Sequence, residues 1–326
     1  MAERDAAVLV TELEYRKAKA TFSACADVRC VPAPADEADL ALAIRDAGAG
    51  AVIVGPGVYT GPLYSALPAG GVVARFGVGH DGIDKARATA AGLLCTNTPG
   101  VLNRSVAEYT MLLIAAAARA IVPMSDAMAR RIWQPMTGTE LEGKTLVIVG
   151  CGGIGREVAR IADAGYGMRV VGCVRPGAVP PAPPHFASIT GDFAAAAREA
   201  DFVSLHMSAG DDNLRWLDAR RLGCLRERTW VINTARGSLV DEAALFTALA
   251  ERRVGGAALD VFAREPYEPS GGGDLRSLPN VILSPHAASN TSEANRRMAE
   301  RALRNVVFAR RGAFAEMDLL NPAVLR

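Results

Sequence analysis

The chain has 326 residues, half of them hydrophobic and 22% charged, with a formal net charge of +1. That length accommodates two packed domains with substantial cores. The near-zero charge carries no footprint for nucleic acid or an anionic membrane surface. Six cysteines, at 25, 30, 95, 151, 173 and 224, form no C-x-x-C pair and no metal-ligand cluster. This usage points to reduced thiols in a cytosol rather than a disulfide framework, with no metal site expected. Glu3, Arg4 and Asp5 precede a five-residue apolar run, so no signal peptide is expected. The longest apolar span, 111–118, stops at Arg119, far short of the roughly 20 residues of a membrane helix. The expectation is a cytoplasmic protein with neither membrane nor nucleic-acid partner.

Residues 6–10 and 51–54 read as short buried strands, separated by a helical stretch over 36–47. A third strand, 72–76, ends in the turn Gly77-Val78-Gly79. Strands alternating with helices predict a parallel sheet in this first part. A long, largely apolar helix follows over 103–121, with Asn103 or Ser105 available as N-terminal cap. Its apolar face is too wide for a surface helix and predicts burial between domains or at a subunit interface. From Thr145 a fresh series begins: strand 145–149, glycine turn, helix 153–164, strand 169–174, then strands at 202–205, 230–233, 256–261 and 281–283. The stretch 175–184, with five prolines, reads as an irregular surface loop. A final helix over 293–311 returns to the first domain. The prediction is an α/β protein of two doubly wound parallel-sheet domains. One, flavodoxin-like, is built from 1–100 and 289–326; the other, Rossmann-type, from 101–288.

The second series opens on Gly150-Cys151-Gly152-Gly153-Ile154-Gly155, directly after an apolar strand and at the head of an amphipathic helix. In a dinucleotide-binding turn the first glycine allows the tight bend, the second lets pyrophosphate approach the backbone, and the third permits close helix–strand packing. The phosphates then meet the positive end of the helix. The residue that selects the cofactor lies at the end of the next strand, where an NAD enzyme usually carries an acid. This chain has Val174 followed by Arg175. An apolar residue removes repulsion of a 2′-phosphate, and a guanidinium can pair with it. NADP(H) is therefore the expected preference, with NAD(H) possible; the alternative is an Arg175 merely solvated in its loop.

Beyond three later strands stand Arg236, Glu265 and His286. Reduction of a 2-oxo acid requires that its carboxylate be held, its carbonyl polarised and a proton delivered to the oxygen. Arginine suits the first two tasks because its planar fork stays charged. Histidine suits the third because its pKa lies near neutrality, and a carboxylate beside it orients the ring and favours its charged form. An isolated histidine or arginine in such a loop is more often a solvated surface group; the shared order and spacing of all three lifts them above that reading. His80, His185 and Cys151 lack such support, and Cys151 reads as inert.

These segments resemble the D-isomer-specific 2-hydroxyacid dehydrogenase family. The family's arginine motif is matched at 233–237 with Val240-Asp241-Glu242, its glutamate motif at 260–266 and its histidine motif at 284–289. The likeness extends through Trp133, 138–145, the glycine loop, Thr98-Pro99-Gly100, Ser105-Val106-Ala107-Glu108 and Gly77-Val78-Gly79-x-Asp81-x-Ile83-Asp84. It covers about 72–300 in the family's order, while 1–71 match in pattern only. The resemblance implies that Arg236 binds substrate carboxylate and carbonyl, that His286 is the acid–base, and that Glu265 tunes it. It also implies that Asp260 faces the nicotinamide side of the cofactor, that Thr234, Ala235 and His206 line its cleft, and that the amides of Val78 and Gly79 hold the substrate carboxylate. Ser208 stands where the family usually has proline after that histidine, which weakens the assignment of His206. The segment 103–134 resembles the family's dimerisation region and implies a homodimer. The 1–100 and 289–326 portion becomes the substrate domain and 101–288 the dinucleotide-binding domain, with hinge closure expected to exclude water.

Arg75, immediately before the turn Gly77-Val78-Gly79, bears on the substrate. Phosphoglycerate dehydrogenases of the family carry an arginine in the matching place, so a substrate with a second anionic or polar end is one reading. An ion pair of Arg75 with Asp81 or Asp84 is the other. The leading function is a nicotinamide-dependent oxidoreductase of hydroxypyruvate or glyoxylate reductase type. The alternatives are a phosphoglycerate or other dianionic 2-hydroxyacid dehydrogenase and, in another class, a dinucleotide-sensing co-repressor.

Overall fold

The computed structural model describes residues 7–177, 179–269 and 272–326. Glu3, Arg4, Asp5 and Ala6, the last predicted to open the first strand, lie outside them, as does Ala178 in the 175–184 loop. The chain divides into two compact units, Met1–Leu102 with Asn290–Arg326, and Asn103–Ser289.

The first unit carries β1 (Val8–Thr11), β2 (Cys30–Ala33), β3 (Ala51–Val54), β4 (Val72–Arg75) and β5 (Leu94–Thr96). They form a parallel sheet in the order β2-β1-β3-β4-β5, the flavodoxin-like winding. Every residue of β1 and β3 is buried, as expected of a sheet covered on both faces. The helix Glu37–Ala47 starts where Asp36 accepts from the amides of Ala38 and Asp39, and it ends on Gly48 at φ 58°. The helix Ser292–Arg310 belongs to this unit, with Thr291 as its cap. Within it, Arg301 grips Asp318 at 2.6 and 2.7 Å, and beyond it Asn321 bonds Cys95 N and Leu93 O at 2.9 Å. These bonds tie the C-terminal segment to the helix and to the start of β5.

The second unit carries β6 (Thr145–Val149), β7 (Arg169–Cys173), β8 (Ser188–Thr190), β9 (Phe202–Leu205), β10 (Trp230–Asn233), β11 (Gly256–Leu259) and β12 (Val281–Leu283). Their order is β12-β11-β10-β9-β6-β7-β8, all parallel. The strand order reverses between β6 and β9, the switch point at which doubly wound sheets bind ligands. Alternate residues of β6 feed two cores. Leu146 and Ile148 join Ile114, Val158 and Ala162, while Val147 and Val149 join Leu222, Leu245 and Leu249. Each such buried Leu, Ile or Val side chain contributes about 1.5–3 kcal/mol.

The long helix expected over 103–121 departs from that reading. It ends at Arg119, because Ala120 adopts a left-handed φ of 47°, and a second helix, Ile121–Ala129, leaves at 68°. Met111, Ile114 and Ala117 pack in the core of their own unit, with Leu146 and Val158. Asn103 and Ser105 lie within the helix rather than before it. Among the described residues no single helix is long and apolar enough to cross a membrane; these two pass that test only as a bent pair.

Candidate active site

Because β10, β11 and β12 are neighbours in one parallel sheet, the loops beyond their carboxyl ends come together. The first is folded by Asn233, fully buried, whose Nδ2 donates to Arg236 O at 2.8 Å and whose Oδ1 accepts from Ala235 N at 3.0 Å. Arg236 Nη1 donates to Ala235 O at 2.6 Å. At Gly237 no side chain fits: a Cβ there would lie 1.8 Å from the carbonyl carbon of Phe262 and 2.0 Å from its oxygen. That close approach seats the arginine loop against the glutamate loop.

In the second loop, Glu265 Oε1 accepts from Phe262 N at 3.0 Å, and Ala263 N donates to Glu242 Oε1 at 2.7 Å. Glu242 opens the helix Glu242–Ala250, which Asp241 caps by accepting from Ala244 N. Glu265 Oε2 lies 2.7 Å from His286 Nδ1. Burial works to raise the Glu265 carboxyl, but the hydrogen bond and charge of His286, the Phe262 N–H and the charge of Arg236 outweigh it. The group is held below the usual carboxylate range. Both side chains are about a third exposed, at 33% for His286 and 34% for Glu265. With Nδ1 turned to Glu265, Nε2 is the ring nitrogen left to exchange a proton.

The third loop presents His286 at φ 53°, a left-handed conformation. Its anchor is Asp260, fully buried. Asp260 Oδ1 accepts from Ser284 Oγ at 2.6 Å and Ala287 N at 2.8 Å, Oδ2 accepts from Ala288 N at 2.8 Å, and the main-chain oxygen accepts from His286 N at 2.8 Å. Both carboxylate oxygens of Asp260 are thus engaged with the histidine loop. Thr234, expected to line the cofactor cleft, is buried with its hydroxyl 2.9 Å from that of Thr110. The supporting parts played by Asn233, Glu242 and Ser284 were not drawn from the sequence, although all three lie inside the quoted motifs.

The glycine loop has the form a dinucleotide requires. Gly150 adopts φ 100°, and a Cβ on it would come within 2.7 Å of the backbone of His206 and Met207; one on Gly155 would lie 2.2 Å from Gly150 O. Gly152 faces open space, with nothing within 4 Å of a Cβ, and no side chain caps the helix Gly153–Tyr166 behind it. The amides of that first turn have no intrahelical partner and are available to phosphate oxygens. His206, beyond β9, has Nε2 2.8 Å from Ser204 Oγ, while its Nδ1 is buried with no protein partner. Burial pushes this imidazole down to about 4, so it is neutral near pH 7. Val174 closes β7 by donating to Thr190 O at 2.9 Å, and Arg175 after it is exposed. The Cys151 thiol is pushed up to about 11 by burial, which makes it a poor nucleophile.

In the first unit the turn Gly77-Val78-Gly79 follows β4. Thr98 Oγ1 accepts from Gly77 N at 3.1 Å and Asn97 Nδ2 donates to Val78 O at 2.7 Å. Among the described residues the amides of Val78 and Gly79 have no protein acceptor. Arg75 is buried beneath this turn, donating to Phe76 O and, at 3.4 Å, to Val54 O. Asp84 instead caps the helix Lys85–Ala90 and faces Arg87 at 3.8 Å. His80 Nδ1 sits 3.3 Å from Lys85 Nζ, and His185 pairs with Asp163 at 2.8 Å.

The family model for the D-isomer specific 2-hydroxyacid dehydrogenase NAD binding domain matches residues 111–288. A glyoxylate reductase from Korarchaeum cryptofilum is 36% identical over 283 residues, spanning 81% of this chain and 80% of its own. A D-3-phosphoglycerate dehydrogenase from Methanocaldococcus jannaschii is 35% identical over 252 residues, 75% of this chain and 46% of its own. Among solved structures, an NADPH-dependent glyoxylate/hydroxypyruvate reductase from Sinorhizobium meliloti, in complex with NADP and malonate, is 30% identical. It superposes with a TM-score of 0.78 over 94% of this chain and 93% of its own. The chain belongs to the D-isomer-specific 2-hydroxyacid dehydrogenase family, as a nicotinamide-dependent oxidoreductase.

Proposed function

We propose that the protein is an NADP(H)-preferring reductase of glyoxylate and hydroxypyruvate, with the reverse oxidation available. The observation that carries this reading is the meeting of Arg236 with the Glu265–His286 pair at adjacent strand ends, Nε2 of the imidazole being left for proton exchange. Arg236 holds the carboxylate of the 2-oxo acid and draws electron density toward its carbonyl oxygen. His286 gives a proton to that oxygen from Nε2, and Glu265 holds the ring through Nδ1. A reduced nicotinamide bound at the glycine loop supplies the hydride. The open space before Gly152 and the uncapped helix behind it fit the pyrophosphate. Val174 and Arg175 at the end of β7 favour a 2′-phosphate.

We assign the unit Met1–Leu102 with Asn290–Arg326 to the substrate, with the unpaired amides of Val78 and Gly79 holding carboxylate. The unit Asn103–Ser289 is assigned to the dinucleotide. The helix Ile121–Ala129 has no buried residue, and Ile121, Met128, Ile132 and Trp133 stand exposed, Trp133 at 84%. A surface of this apolar character supports a homodimer. The six free cysteines fit a reducing cytoplasm.

The test is a matrix of initial rates for NADPH and NADH with glyoxylate, hydroxypyruvate, 3-phosphohydroxypyruvate and phenylpyruvate. Fastest turnover of NADPH with glyoxylate or hydroxypyruvate is expected. A preference for NADH with the phosphorylated acid moves the assignment to phosphoglycerate chemistry, and absence of turnover with every acid overturns it.

A further inference from the structure

We propose that Glu14 is a specificity-determining residue of the first unit: its buried carboxylate disfavours acids with a second anionic end and so separates hydroxypyruvate from its phosphate. This rests on the assignment of that unit to the substrate. In a sheet of order β2-β1-β3-β4-β5 the winding reverses between β1 and β3, and ligands of such sheets bind beyond the carboxyl ends at that reversal. Glu14 stands there. Thr11, the last residue of β1, donates its hydroxyl to Glu14 Oε2, and the same hydroxyl accepts from Gly55 N, directly after β3, at 3.2 Å. A β-carbon on Gly55 would lie 2.5 Å from Glu14 Oε1, so the carboxylate occupies the space a side chain would need. Glu14 is only 2% exposed, and its Oε1 is buried without a hydrogen-bond partner; Lys17 Nζ comes no closer than 3.7 Å. A buried carboxylate with an oxygen unsatisfied is disfavoured on stability grounds alone.

The charge of Glu14 adjoins the turn Gly77-Val78-Gly79 through the segment after β3. That segment lies directly on the one after β4: Tyr59 N donates to Gly82 O at 2.8 Å, and a β-carbon on Gly82 would fall 2.2 Å from Gly57 O. Arg75, on β4, reaches β3 from the side opposite β1 and donates to Val54 O at 3.4 Å. The two opposite charges therefore flank the end of β3. The buried Tyr59 phenol is subject to both: burial and then the Glu14 charge push it up to about 12, against the pull of Arg75. By itself a guanidinium here would draw a distal phosphate or carboxylate. With Glu14 across β3, a second negative charge on the substrate meets a repulsion that opposes that attraction, while a neutral hydroxyl end escapes it. Placing a like charge against the wrong ligand is a recognised route to selectivity.

The experiment compares Glu14→Gln and Glu14→Asp with the wild-type enzyme in two readouts. One is kcat/KM with NADPH for 3-phosphohydroxypyruvate and for hydroxypyruvate, which differ only in the phosphate. The other is the rise in Tm that D-3-phosphoglycerate and D-glycerate, at equal concentration, give to the NADPH-saturated enzyme. In Glu14→Gln the ratio of kcat/KM for the phosphorylated acid to that for the free acid is expected to rise about tenfold, the order of one unit charge acting over about 10 Å at an effective dielectric of about 20. Glu14→Asp keeps the charge and should keep the wild-type ratio. In the wild type D-glycerate should raise Tm more than D-3-phosphoglycerate does, and this comparison decides the matter if Glu14→Gln does not fold. An unchanged ratio in Glu14→Gln, an equal rise in Glu14→Asp, or equal Tm shifts from the two acids in the wild type would each overturn the proposal. The Tm shifts are read without turnover. Binding of neither acid would overturn the substrate reading itself, an outcome distinct from equal binding of both.

Discussion

Replacing Gly237 by alanine adds a single methyl group at the contact that joins the arginine and glutamate loops. The new Cβ would stand 1.8 Å from the carbonyl carbon of Phe262, 2.0 Å from its oxygen and 2.3 Å from Ala263 N. Carbon atoms in comfortable contact sit about 3.5–4.0 Å apart, so the 236–237 and 262–263 segments must separate by about 1.7 Å or more. All three atoms met are backbone, which leaves no rotamer to absorb the change. Gly237 does not itself occupy the left-handed region, so the effect comes from contact alone. Overpacking of this kind costs about 1–3 kcal/mol of stability, or about 2–4 °C in Tm for each kcal/mol in a unit of this size. The larger effect falls on rate. Arg236 lies on one side of the forced gap and the Glu265–His286 pair on the other, and displacing reacting groups by about 1 Å costs about a hundredfold. Steady-state reduction of glyoxylate by NADPH, with a thermal melt and an NADPH titration on the same preparation, measures all three quantities. The expected outcome is a kcat down by about two orders of magnitude, a modestly lower Tm and unaltered NADPH affinity. A folded Gly237→Ala enzyme with wild-type kcat would show that this contact does not set the register of the site.

Two further perturbations probe the cofactor and substrate sides. His206 is held down to about 4 when folded, against 6.5 for the free side chain, so the unfolded chain binds a proton over that interval and the folded protein does not. Its contribution favours the folded state in full above about pH 6.5 and declines as pH falls toward 4, by about 2 kcal/mol at pH 5. Urea titrations near pH 7.5 and pH 5 should show a smaller loss of stability in His206→Gln than in the wild type; equal losses would mean that His206 is protonated in the fold. Arg75 donates to the carbonyls of Phe76 and Val54, so if the turn Gly77-Val78-Gly79 holds substrate as proposed, Arg75→Ala should raise KM for glyoxylate and for 3-phosphohydroxypyruvate alike. A rise confined to the phosphorylated acid would instead give the guanidinium a distal anionic group to bind.

What could be read in the sequence was whatever local chemistry dictates. Strands β6, β9 and β10 are apolar runs because helices cover both faces of their sheet, and such runs stand out without reference to the rest of the chain. Strands β2 and β8 did not. They lie at sheet edges, are only partly buried, and carry Pro32 or the polar Ser188 and Thr190, so hydrogen bonding to a neighbour is what defines them. β5, buried but three residues long and also at an edge, was equally silent. The break at Ala120 was illegible for another reason, since alanine favours helix and nothing in the residue type signals the left-handed φ of 47° found there.

The same division runs through the candidate site. Arg236, Glu265 and His286 announce themselves because reduction of a 2-oxo acid needs those side-chain chemistries at strand ends. The residues that hold them do not, because a carboxylate such as Asp260 or Glu242 looks identical in the sequence whether it meets a ligand, solvent or the backbone of a loop 20 or more positions away. Only the sheet order, which lays β10, β11 and β12 side by side, decides that Glu242 grips the glutamate loop and Asp260 the histidine loop. Burial then makes each choice costly to undo. A buried carboxylate is tolerated where its oxygens are satisfied, so withdrawing the loop from Asp260 would leave a charge stranded beneath the imidazole it supports. The stability of the second unit and the aim of His286 are in that sense held by the same hydrogen bonds.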